Sequence, residues 1–286
     1  MRFFAFLFLL LLSYLNSFSQ LQLGIYGGIA NYQGDLVDKL YKNSNGVFGL
    51  TVGYPITDRL NLRAGVSFTK LNGADSLSKQ QDLILRNLSF QTSLTEFSLV
   101  GEYNTFDIDS KSWSPYLFAV LAVFHFNPYT LDQGNKVFLK PLSTEGQGVA
   151  GYPDSKPYAL TQLALPFGAG VKYNISDRIR IALELGMRKL FTDYIDDVSG
   201  NYADPNDLFL AKGQQSVDLS YRGDEIPGGD PNYPVKGLTR GSPKNKDFYY
   251  FTGIHLVFNL SEGNGSRGAS SKRGGKKGYG CPGNPM

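Results

Sequence analysis

Between Arg178 and Arg188 the chain reads RIRIALELGMR. Ile179, Ile181, Leu183, Leu185 and Met187 alternate with Arg180, Ala182, Glu184, Gly186 and Arg188. Period two marks a β-strand, one face apolar and the other holding charges and a glycine. A soluble sheet would bury the apolar face and leave the charges in water. Here the pattern recurs in several segments of similar length behind a secretion-type leader. That combination points to a transmembrane β-barrel whose apolar face meets lipid.

The leader is Met1-Arg2, an apolar run from Phe3 to Leu12, and Ser17-Phe18-Ser19. One positive charge, a short apolar core and small residues before a cut predict a signal peptide over 1–19. The run is too short for a membrane-spanning helix, and no later segment holds 18 consecutive apolar residues. A membrane form must therefore cross with strands closed into a barrel, because an open edge leaves backbone groups unpaired in lipid.

Eight strands are read: Leu21–Tyr32, Val47–Tyr54, Leu60–Leu71, Thr92–Phe106, Trp113–Phe126, Leu163–Ile175, Ile179–Leu190 and Asp247–Leu260. The connections after the second, fourth and sixth are a few residues long. Those after the first, third, fifth and seventh are long: 33–46, 72–91, 127–162 and 191–246. Short periplasmic turns, long outer loops and an even strand count are the outer-membrane pattern. The predicted fold is all-β: an eight-stranded antiparallel up-and-down transmembrane barrel over 20–260, in the outer membrane, with long extracellular loops and periplasmic termini. Glycine (33) and aromatics (18 Tyr, 20 Phe, 1 Trp) suit barrel walls and interfacial girdles.

With apolar faces on lipid, the lumen receives Arg63, Glu96, Glu102, Lys172, Arg180, Glu184 and Arg188. Opposite charges in a narrow barrel pair, as buried ions must. Eight strands enclose only enough room for side chains, so a plugged lumen is expected.

The formal net charge of +3 belongs to the tail. Residues 261–286 carry Arg267, Lys272, Arg273, Lys276 and Lys277 against Glu262, while the body is net acidic. The basic character therefore gives no reason to expect a nucleic acid partner. The tail is glycine-rich, lacks apolar periodicity and is expected to be flexible and periplasmic. Cys281 is the only cysteine, in an oxidising compartment, which favours a partner contact. Arg273, Lys276 and Lys277 would supply electrostatic attraction to that partner.

Catalytic signals are sparse. The histidines are His125 and His255, and only His125 lies near the outer rim, where an enzyme acting on lipid would need it. The preferred reading is a non-enzyme. The alternative is an outer-membrane enzyme or ligand-binding barrel using His125 and the outer loops. Asp193, Asp196 and Asp197 lack calcium-loop spacing, and turn or cap roles are preferred to a metal. No cofactor motif is present.

One stretch carries a family resemblance. Met187-Arg188-Lys189-Leu190-Phe191-Thr192-Asp193-Tyr194-Ile195-Asp196-Asp197-Val198-Ser199, with Tyr202 behind it, resembles the signature of the PorG family. These are small outer-membrane barrels of the type IX secretion system in Bacteroidota. Glu96-Phe97, Glu102-Tyr103-Asn104, Ser114-Pro115-Tyr116-Leu117-Phe118, Phe126-Asn127-Pro128, Pro166–Tyr173 and Asp247–Phe251 also fit. The resemblance covers about 21–260. It implies a non-enzymatic part of the secretion and gliding machinery that contacts periplasmic ring proteins of the PorK/PorN type.

Overall fold

The computed structural model describes residues 21–260 apart from 38, 39, 109 and 243–245. The segment read as a signal peptide lies outside the described residues, as does the tail with Arg273, Lys276, Lys277 and Cys281.

Eight strands form the wall: β1 (Gln22–Gln33), β2 (Asn45–Pro55), β3 (Leu60–Ala74), β4 (Ser89–Asn104), β5 (Trp113–His125), β8 (Thr161–Asn174), β9 (Ile179–Leu190) and β10 (Phe248–Asn259). Each pairs antiparallel with its neighbour in this order. β10 returns to β1, with Gln22 opposite Asn259 and Gln33 opposite Phe248, so the ring closes and no edge remains. The fold is a closed eight-stranded up-and-down barrel.

The apolar face of each strand points outward. Ile25, Leu50, Phe68, Phe97, Leu117, Phe167, Leu183 and Ile254 are all exposed. A belt of such residues around a whole barrel is stable only against hydrocarbon. Tyr54, Tyr103, Trp113 and Tyr173 stand exposed at the rim with the short turns, forming an aromatic girdle. The chain is thus a transmembrane barrel of the outer-membrane type. Among the described residues no helix is long and apolar enough to cross a membrane.

Two features depart from the sequence reading. The connection 127–162 is not a plain loop: it contains β6 (Tyr129–Asp132) and β7 (Asn135–Phe138), a hairpin that extends the sheet from β4 through Gln91 opposite Tyr129. The wall also has a gap. The β5–β8 ladder skips Val120 and Leu121 opposite Leu165 and Pro166. Proline has no N–H to give there, and Val120 is exposed although strand parity would turn it inward.

The connections after β3 and β9 carry short helices: α1 (Gln81–Arg86) in the first, α2 (Pro205–Lys212) and α3 (Gln214–Ser220) in the second. Asp204 caps α2 by accepting from the Asn206 and Asp207 amides, and Pro205 follows at the first helical position. These pieces fold over the rim opposite the short turns and cap the barrel. The main apolar core lies beneath this cap. Phe124, Phe126, Tyr249, Phe251 and Leu190 reach it from the wall, and Ile195 and Val198 from above.

Candidate functional site

The lumen is filled by a polar network set by strand parity. Arg63 on β3 bridges two carboxylates, Glu102 on β4 (2.9 Å) and Glu184 on β9 (2.8 Å). Glu102 also receives Lys172 Nζ from β8 (2.5 Å) and Asn61 Nδ2 (2.9 Å). Nearer the cap, Arg188 pairs with Glu96 through Nε (3.0 Å) and Nη2 (3.2 Å), and Tyr249 donates to Glu96 (2.7 Å). Tyr116 donates to Glu184 (2.8 Å). Arg180 donates through Nε to Asn174 (2.7 Å). All seven lumen charges named from the sequence point inward and are buried. Rings pack between them, with Arg188 stacked 3.8 Å from the Phe251 centroid.

His255 joins this network although the sequence reading assigned it no role. Arg63 Nη1 lies 2.8 Å from its Nδ1, and Thr51 Oγ1 lies 2.7 Å from its Nε2. Arginine only donates, so Nδ1 accepts and the imidazole is neutral, with its hydrogen on Nε2 for Thr51. The signal was available, because His255 shares strand parity with Tyr249 and Asn259. The space left beside it, between Gln22, Asn61, Lys172 and Arg180, is about 10 Å³, room for one water. The network therefore occludes the barrel.

The cap is built on the motif after β9. Tyr194 stacks on Tyr158 (4.8 Å, 10°), Tyr158 on Phe126 (6.1 Å) and Phe126 on Phe124 (5.5 Å), an aromatic column from cap to lumen. Asp197, in the left-handed region at φ 67°, accepts from Tyr158 (2.6 Å) and Thr144 (2.6 Å). Asp193 accepts from Ser199 Oγ (2.8 Å). Asp196 Oδ1 accepts from the Val198 amide (2.9 Å), an Asx turn. Glu145 takes the Ser199 and Gly200 amides (2.9 Å each) and Arg240 (2.9 Å). Arg240 also donates to the carbonyls of Asp197 (2.7 Å) and Ser220 (3.0 Å). The motif residues Asp193, Tyr194, Asp196, Asp197 and Ser199 are thus brought together as a knot of turns and latches, joined by Glu145 and Arg240, which no local pattern marks.

Burial pushes the Asp193 carboxyl up to about 6, against the hydrogen bond from Ser199. Burial likewise lifts Asp197 to about 6, with Arg240, Thr144 and Tyr158 pulling the other way. Burial lowers the Arg240 guanidinium, but Glu145 and Asp197 more than restore it. Among the described residues no cluster of three or more metal-ligating side chains is disposed to hold an ion. His125 stands exposed on the outside of the wall, its Nδ1 2.9 Å from Thr161 Oγ1. Tyr41, Phe138 and Phe191 are exposed at the outer end.

Similar solved structures share this architecture at low likeness. Neisserial surface protein A is 10% identical, covering 84% of this chain and 97% of that one, with a TM-score of 0.42. The outer membrane protein OprG from Pseudomonas aeruginosa is 11% identical over 84% and 97%, with a TM-score of 0.40. The attachment invasion locus protein Ail of Yersinia pestis, in complex with the heparin analogue sucrose octasulfate, is 9% identical over 84% and 98%, with a TM-score of 0.38. Comparison with curated proteins gives no match. A family model described as a domain of unknown function, DUF6089, matches residues 1–214, and the chain belongs to that family.

Proposed function

We propose that this barrel is a non-enzymatic outer-membrane component of the type IX secretion and gliding machinery, fastening periplasmic ring proteins of the PorK/PorN type to the membrane. The observation that carries the reading is the occluded lumen beneath a buried cap. A barrel closed by Arg63–Glu102–Lys172 and Arg188–Glu96 pairs and sealed by the 191–200 knot has no route for solute. Its use is then as a rigid membrane fixture. The resemblance to PorG supplies the machine, and the residues that carry it, Asp193 to Ser199, form that cap.

Gln22 and Asn259 pair at the rim of the short turns, so the chain beyond 260 leaves from that rim. In the reading proposed here this rim is periplasmic. Arg273, Lys276, Lys277 and Cys281 then reach the ring, first by charge and then by thiol chemistry. The test compares full-length protein, Cys281→Ser and a chain lacking 261–286 in native outer membranes. Wild type should show a reducible high-mass band on a non-reducing gel and should co-purify ring proteins. Cys281→Ser should lose the band, and the truncation should lose the ring while the barrel still folds. Unchanged ring recovery with the truncated chain would overturn the attachment, and ion conductance of wild type in planar bilayers would overturn the fixture.

A further inference from the structure

Where the cap meets the wall, hydrogen bonds need one more hydrogen than the phenol between them can give. Tyr32, at the outer end of β1, places its hydroxyl 2.6 Å from Asp196 Oδ2 and 2.9 Å from Asp247 Oδ1. All three side chains are buried. The other oxygens of the two carboxyls are used: Asp196 Oδ1 accepts from the Val198 amide (2.9 Å) and Asp247 Oδ2 from the Ile195 amide (3.0 Å). A phenol owns a single hydrogen. If it goes to Asp196, the Asp247 contact sets two oxygen lone pairs against each other unless that carboxyl carries a hydrogen of its own.

We propose that the Asp196–Tyr32–Asp247 cluster is a proton-operated latch: one shared acid proton holds the 191–200 loop shut over the outer mouth of the barrel, and its loss lets the loop lift. The hinge points suit this. Asp196 and the Ile195 amide belong to the loop that would move, whereas Tyr32 lies in β1 and Asp247 directly precedes β10.

The surroundings favour the proton. Asp35 from the β1–β2 connection acts on both carboxyls, and Asp193 acts on Asp247. Lys246, exposed, faces Asp193, while Arg86 and Arg240 act on Asp35, opposed by Glu145. Burial raises Asp196 and Asp247 well above the ordinary carboxylate range; Asp247's charge adds most to Asp196, and Asp193's to Asp247. A carboxyl raised in the folded state binds more protons there than in the opened loop. Closure is therefore strongest at low pH and lost as pH rises through the raised value. The latch is independent of which machine the barrel serves.

The test is hydrogen exchange on full-length protein in phospholipid nanodiscs from pH 5 to 9, read as protection factors corrected for intrinsic exchange. Ile195 and Val198 in wild type should lose about tenfold per pH unit from the ordinary carboxylate range up to the raised value, the slope of one proton, and level off above it, while strand amides stay flat. Asp196→Asn and Asp247→Asn each replace the acid hydrogen with an amide hydrogen and should hold the loop closed with no slope above pH 7, beyond the Asp193 and Asp197 transitions at about 6; Asp193→Asn should keep the slope there. Flat wild-type protection across the range would overturn the latch, as would the wild-type slope persisting in both Asn variants. If either variant fails to fold, the wild-type series above pH 7, beyond the Asp193 and Asp197 transitions, decides.

Discussion

The lumen and the cap both bury many charges, yet they solve the problem differently. In the lumen each named carboxylate meets a cation on another strand: Glu102 meets Arg63 and Lys172, Glu184 meets Arg63, and Glu96 meets Arg188. In the cap, aspartates outnumber cations and are satisfied by hydroxyls, amides and, at Asp193 and Asp197, by a raised affinity for protons. Rigid strands hold long side chains at fixed register, so opposite charges can be placed to match. Irregular loops bring short side chains close to backbone, where aspartate is useful as an acceptor even without a cation. The lumen is thus a set of ion pairs, whereas the cap adds to its Glu145–Arg240 and Asp75–Arg86 pairs a cluster of hydrogen-bonded acids.

The largest break of this contrast is Glu102→Gln. It leaves Lys172 and one side of Arg63 buried against a neutral amide, and should cost about 3–5 kcal/mol, as removal of one partner of a buried pair does. Urea unfolding in micelles reads it, and a loss below about 1 kcal/mol would mean the lumen is far wetter than the packing allows. Arg240→Leu attacks the cap at its chief cation, which holds Glu145 and the Asp197 and Ser220 carbonyls. It should lower the opening energy of the cap by about 3 kcal/mol while strand amides keep their protection. The cap should also weaken with pH. Asp197, raised from an ordinary 3.8 to about 6, adds stability that is fully present below the first value and gone above the second. Cap protection that instead rose over that interval would reverse the sign and refute the acid-held cap.

Gly34→Ala tests whether the cap is as tightly seated as its contacts imply. A Cβ there would lie 2.0 Å from Asp247 Oδ1 and from the Tyr32 hydroxyl oxygen. Overpacking of this kind should cost about 1–3 kcal/mol, felt at Ile195 and Val198. No change in their exchange would show that the chain has slack at this point.

The contrast also explains what could be read from the sequence. Period two alone put Arg63, Glu96, Glu102, Lys172, Arg180, Glu184 and Arg188 on one face, and alternating loop lengths gave the closed topology. Their actual partners could not be read, because register across the barrel depends on shear rather than on any one strand. The 129–138 hairpin had a local signal, Gln133-Gly134 between Leu131 and Val137, which the eight-strand count hid. Asp204-Pro205 likewise announced α2. The Glu145–Arg240 pair had none: the residues are 95 apart in chain and lie in loops with no period.

The smallest effects compare one residue type on either side of the wall. His255 accepts from Arg63 and donates to Thr51, both inside the lumen. His255→Ala leaves a buried guanidinium N–H and a hydroxyl unpartnered and should cost about 1–3 kcal/mol. His125, exposed and bonded to Thr161, should tolerate Ala within about 0.5 kcal/mol. The pair isolates burial from chemistry, since both substitutions delete the same imidazole. It also separates functions: a barrel that acts on lipid through His125 would lose that activity in the variant that keeps its stability, whereas a membrane fixture would weaken only in the other. Equal costs at the two positions would mean that the inside of this barrel is no drier than its outer face. The ion pairs around Arg63 would then contribute no more than surface salt bridges do.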